Sequence, residues 1–197
     1  MIKFHLGEIP TAPDFEPDAS WKPLREPGMW GMQLIASFIG LLAAAGIAFL
    51  WFRLTPLEAF EFEATLTTAL GLFGLVALVI VVHELLHGVA HHFSGGDGYS
   101  VIGFWPAKVV FYAVYLGPMP RNGQLLSFAL PLTAISLLPL AAAVLFQAAI
   151  PLLAFISIVN VALAAGDIFG FILVTYQVDR HAVVCNKGYR SYWKVIQ

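Results

Sequence analysis

Long stretches of this chain carry no charged side chain, and that limits the folds open to it more than any other feature. Met29 to Phe52, Ala64 to Val82 and Asn122 to Gly166 are all free of Asp, Glu, Lys and Arg. A helix needs about 20 predominantly apolar residues to cross the hydrocarbon core of a bilayer. Each run supplies at least most of that length, and the last is too long for one helix. Only 11% of the 197 residues are charged, against about 25% in a soluble domain. The chain therefore reads as an all-α membrane protein with a bundle of about four transmembrane helices and the lipid bilayer as its solvent.

The spans can be placed approximately. The first is about 29–52, followed by a short polar connection, Arg53 to Glu63, that contains Pro56. The second is about 64–92. The third, about 123–146, contains Pro131 and Pro139, which are expected to kink it. Gln147 to Pro151 divides the long run, because proline favours the first turn of a helix, and the fourth span is about 151–178. Residues 1–28 carry five acidic side chains (Glu8, Asp14, Glu16, Asp18, Glu26) and five prolines, with no apolar core beside a basic start. That is not a signal peptide. We read it as an extended cytosolic arm resting on the membrane through Trp21 and Trp30.

Between the second and third spans, Gly95-Gly96-Asp97-Gly98 signals a turn. Tyr99 to Phe104 and Lys108 to Leu116 are rich in Val, Ile, Phe and Tyr, and Pro106 lies between them, so a small β-hairpin is expected. The competing reading is a re-entrant or interfacial loop. Alternating the spans puts nine of the ten basic residues on one side: Lys3, Lys22, Arg25, Lys108, Arg121, Arg180, Lys187, Arg190 and Lys194. Arg53 alone falls opposite. The positive-inside rule makes the richer side, with both termini and the 179–197 tail, cytosolic.

The second span ends in His83-Glu84-Leu85-Leu86-His87-Gly88. Residues four apart on a helix stand one above the other, so His83 and His87 can aim two imidazoles at one zinc ion. Glu84 sits beside the first, where it can take a proton from a water that the metal activates. Coincidence is the alternative reading. Against it, three ionisable groups at the edge of an uncharged run are costly unless they have a function.

The predicted orientation sets a depth for this site. His83 lies about nine residues, and Asp167 about eleven, from the cytosolic ends of their spans, a match within a few ångströms at 1.5 Å per residue. Catalytic zinc takes three protein ligands and keeps one position open. Asp167 is the candidate third ligand, since no lysine or arginine at that depth offers it an ion pair; capping a break at Gly166 is the alternative. A straight helix sets His91 about 12 Å along the axis from His83, too far to share the ion, so His91 and His92 read as interfacial. Asn160, two turns before Asp167, could hydrogen-bond a substrate carbonyl or oxyanion, or simply join two helices. The net charge of −2 offers nucleic acid no basic surface. The single cysteine, Cys185, excludes an intramolecular disulfide.

These motifs resemble those of the site-2-protease class of integral-membrane zinc metalloproteases. More narrowly, the chain is similar to a small bacterial membrane family of putative-zincin peptidases. The likeness covers roughly residues 64–178. It rests on His83 to Gly88, on Pro120-Arg121 with Leu125 to Pro131, and on Asn160 with Gly166-Asp167. It implies that His83, His87 and Asp167 bind Zn2+, that Glu84 is the catalytic base, and that Asn160 assists substrate binding. The last span departs from the class pattern: glycine precedes the aspartate rather than following it, and the neighbouring prolines are absent.

The expected function is zinc-dependent hydrolysis of a transmembrane or membrane-adjacent peptide by residues 29–178, a membrane-embedded domain of the bacterial cytoplasmic membrane. A hydrolase needs its substrate extended, which an exposed strand edge can supply. The alternatives are a zinc-binding scaffold without activity, or a metal-ion carrier. A carrier should show acidic or histidine residues at several depths, and one intramembrane cluster is visible. Substrate identity and oligomeric state are not legible.

Overall fold

The computed structural model describes residues 2–12, 15–55, 63, 65–148 and 150–196. Pro13, Asp14, Pro56, Ala64 and most of the connection read at Arg53 to Glu63 lie outside the described residues.

The uncharged runs form helices as their composition requires. Helix α1 is Met29–Leu54 and α2 is Leu66–His92; the Thr65 side chain caps α2 by accepting from Thr68 N–H at 3.1 Å. The third run is α3 (Arg121–Leu132), one π-helical turn (Thr133–Leu137) and α4 (Leu138–Phe146), continuous along Arg121–Phe146. These three stretches are long and apolar enough to cross a membrane. Their outer faces expose Leu34, Phe38, Leu70, Phe73, Leu145 and Phe146, each more than half accessible. So much apolar surface suits hydrocarbon rather than water.

The fourth run is not one straight span. Pro151 opens α5 (Pro151–Leu163), as its fixed φ favours, but the chain breaks at Ala164 and bends 52° into α6 (Ala165–Gln177). Close packing fixes that break against α1. A Cβ on Gly40 would lie 2.6 Å from that of Ala165, so only glycine allows the approach.

The all-α expectation needs correction, because the described residues also form seven strands in two sheets. The expected hairpin is present as β3 (Tyr99–Trp105) and β4 (Val110–Leu116), paired from Tyr99↔Leu116 to Trp105↔Val110. Its tip is tied to α1 by Gln33 Nε2 donating to Lys108 O at 3.3 Å and by the Lys108 ammonium 4.5 Å over Trp30. The unforeseen strands come from the two ends of the chain. Within the arm, β1 (Ile2–Leu6) pairs in parallel with β3, from Ile2↔Ser100 to Leu6↔Phe104. Farther on, β2 (Lys22–Pro23) joins β7 (Arg190–Val195), which pairs with β6 (Ala182–Lys187), and β6 with β5 (Met119–Pro120).

The arm is thus extended, but it is bound into both sheets. Trp21, expected at the membrane surface, packs edge-on to Phe15, 4.9 Å between ring centres. Both line a core in which Ala12, Val101, Tyr112, Val114, Leu116 and Cys185 are buried. There burial pushes the Cys185 thiol up to about 11, so it is an inert core residue. The Ile2 side chain of β1 packs over Gly88, where a Cβ would lie 2.9 Å from Ile2 Cδ1. Arm, hairpin and tail together make one β layer against α2, α3 and α6.

Candidate metal centre

Helix α2 runs unbroken through Gly88, so His83 and His87 stand on one face as their spacing requires. The break at Ala164 puts Asp167 in the first turn of α6, where the positive end of the helix dipole favours a carboxylate. Both histidines are buried, and the three side chains converge. His83 Nε2 lies 3.2 Å from His87 Nε2 and 3.0 Å from Asp167 Oδ2; His87 Nε2 lies 3.4 Å from Asp167 Oδ1.

Partners on the far sides of the rings assign the tautomers. Asn160 Nδ2 donates to Pro131 O at 3.1 Å and to Ser136 Oγ at 2.8 Å, so its Oδ1 faces His83 and accepts from Nδ1–H at 2.8 Å. His87 Nδ1–H donates to Ser127 O at 2.9 Å. Each imidazole therefore turns the lone pair of Nε2 toward the other and toward a carboxylate. Three electron-rich side chains facing one another suit a shared cation. The two nitrogens stand 3.2 Å apart and each meets a different carboxylate oxygen, at 3.0 and 3.4 Å, spacings of the size that ligands about 2 Å from a zinc ion would have. Two imidazoles and a carboxylate also form a known zinc donor set. The residues present fit the ion.

Residues 76–183, more than half of the chain, match the family described as "putative zincin peptidase". The chain belongs to that family. The matched stretch contains His83, Glu84, His87 and Asp167, and a zincin implies zinc. No curated protein matches the chain, and no solved structure does.

Glu84, Asn160 and His91 all lie near this zincin's cluster. Glu84 is buried, and its Oε2 has no hydrogen-bond partner among the described residues. It lines the same cavity of about 500 Å3 as His83. Asn160 is fully buried, with His83 Nδ1, Pro131 O and Ser136 Oγ as its hydrogen-bond partners, on the side of the His83 ring away from Asp167. Ligand histidines commonly donate their second N–H in this way, which fixes ring orientation. His91, read as interfacial, is buried between Ser100 Oγ and Ser127 Oγ, each at 3.0 Å.

Sequence reasoning read Pro131 as a kink and Leu125 to Pro131 as part of the resemblance, but it missed that Ser127, Pro131 and Ser136 bond the side chains around the cluster. A signal for the first pair was present, because proline at position i leaves the carbonyl of i−4 without its helical donor. Pro131 frees Ser127 O in this way, and His87 Nδ1–H takes it. Pro131→Ala restores the competing N–H. We expect a straighter α3 and zinc affinity about tenfold weaker, the scale of losing an outer partner of a metal ligand. Competitive zinc titration would measure this, and unchanged affinity would show that the freed carbonyl has no role.

Proposed function

We propose that this zincin is a site-2-protease-like metallopeptidase that cleaves peptide segments within or beside the membrane. The observation carrying the reading is the convergence of His83, His87 and Asp167 from two apolar runs, with Glu84 buried beside them on one cavity. Bound zinc would supply Lewis acidity, making a water nucleophilic near neutral pH and polarising the scissile carbonyl. Glu84 takes the proton of that water and delivers it to the leaving amine. Asn160 and Ser127 hold the two imidazoles in the donor tautomer throughout. The cavity admits an extended chain beside β4, an edge strand in the order β1-β3-β4 whose Val110 and Phe111 line the same space as Glu84. The test is zinc content and cleavage of a membrane-anchored peptide by purified protein, set against Glu84→Gln.

In this reading the helices within residues 29–178 are embedded in a cytoplasmic membrane, and the β layer, with both termini, is cytosolic. Nine-to-one placement of basic residues supports that orientation, as does pairing of arm, hairpin and tail in shared sheets. Reporter fusions after Ile9, Pro118 and Val195 should all report the cytosol, and one after Arg53 the opposite side. An external signal from either end would overturn the orientation.

A further inference from the structure

The cavity at Glu84 extends beyond the metal cluster. It runs from His83 and Glu84 on α2, past Met32, Ile80 and Phe128, to Glu26, Tyr189 and Ser191 in the β layer. Its walls are mostly apolar, and no lysine or arginine is among the described residues that line it. Among the described residues that line it, Glu26 is the one carboxylate besides Glu84.

Glu26 is held in place at the far end. Its Oε1 accepts from Ser191 Oγ at 2.7 Å and its Oε2 from Ser191 N–H at 3.1 Å. The neighbouring Arg190 guanidinium donates to the backbone carbonyl of Glu26, at 2.9 Å, and leaves the carboxylate without an ion pair among the described residues. Leu24 N–H donates to Ser191 O at 2.9 Å, which pins the same segment to β7. Partial burial raises the Glu26 carboxyl above the usual carboxylate range, as expected for a charge whose lost hydration is incompletely replaced. A cation brought to it would regain that energy.

The cavity thus presents apolar walls at the level of the helices and a carboxyl group fixed in place at the level of the β layer. A membrane segment ending on its cytosolic side has the same order, an apolar run closed by Lys or Arg. We propose that Glu26 is a specificity-determining residue that receives the lysine or arginine ending the apolar run of the substrate peptide. This rests on the hydrolase reading above for the bond at Glu84. Clamping by Ser191 alone would give Glu26 a purely structural role, and the two can be separated.

The experiment uses full-length protein carrying Glu84→Gln in detergent, so that binding is read without cleavage. Two fluorescent peptides are compared, an apolar run ending in Lys and the same run ending in norleucine. The Lys peptide should bind about tenfold tighter at low salt, a difference that shrinks as salt rises. Glu26→Gln, which can keep an acceptor for Ser191, should bring the ratio near one. Glu26→Lys should instead favour a Glu-ended peptide. Ser191→Ala removes the clamp but not the charge and should preserve the Lys preference. Equal binding of both peptides, binding of neither, or a preference that survives Glu26→Gln would overturn the proposal. Lys-selective binding by a protein whose Glu84 form cleaves nothing would instead defeat the hydrolase reading and leave the recognition intact.

Discussion

Glu84→Gln should keep stoichiometric zinc while peptide hydrolysis falls by about 10³-fold or more, the scale of losing a positioned general base. Glu84 lies between the two clustered histidines in sequence but is not in the group whose candidate ligand atoms converge. The amide is nearly the same size, so the helix and both imidazoles keep their places, yet it has no basic lone pair to take the proton of water. A second readout follows from burial. Glu84 Oε2 is a buried carboxylate oxygen without a hydrogen-bond partner among the described residues, a costly arrangement in the absence of substrate. Neutralising it should leave thermal stability unchanged or raised, the usual trade between stability and activity at a working site. Cleavage at the wild-type rate would remove Glu84 from the mechanism. Loss of zinc would make it a ligand. Zinc retained by a wild type that cleaves nothing would favour the structural-scaffold reading.

Asp167→Ala should cost still more, because it removes a member of the cluster itself. His83 and His87 alone would leave two positions of a four-coordinate ion to solvent. Zinc affinity should fall by more than the roughly 10–100-fold that follows loss of an outer partner, and activity should vanish with it. Asp167→Asn should keep the first turn of α6 but hold zinc weakly, since a neutral amide oxygen is a poorer ligand than a carboxylate. His91→Ala makes the contrast. His91 is hydrogen-bonded to Ser127 Oγ and stacks on His87 at 6.4 Å, but it offers the cluster no ligand atom and His87 Nδ1–H keeps the Ser127 carbonyl, so zinc should be nearly unchanged. Equilibrium dialysis with metal analysis decides between these outcomes. A fully loaded Asp167→Ala beside an empty His91→Ala would overturn the ligand set.

Much of the helical layer and of the candidate site could be read from the sequence, for local reasons. Periodicity is local, so His83 and His87 share a face wherever α2 packs. The uncharged runs demand helices in a bilayer because every backbone polar group must be satisfied within the segment. Pro151 starts a helix through its own φ, and the hairpin from Tyr99 to Leu116 pairs neighbours across a short turn. Asp167 was matched to His83 in depth because rise per residue is constant, though which way it faced was open.

Tertiary structure decided the remainder, since the partners concerned lie far apart in the chain. Ile2–Leu6 does alternate apolar and polar residues, a local strand signal, but its partner β3, like the partner β7 of Lys22–Pro23, lies far along the chain and could not be named from that segment. Nor could the helical period say whether Asn160 faces substrate or His83. That depended on the 52° bend at Ala164 and on Pro131 and Ser136 claiming its amide hydrogens. The role of Pro131 is divided between the two levels. Its missing N–H is a property of one residue, but what uses the carbonyl it frees is settled by which helix packs against α3 there, and that helix carries His87.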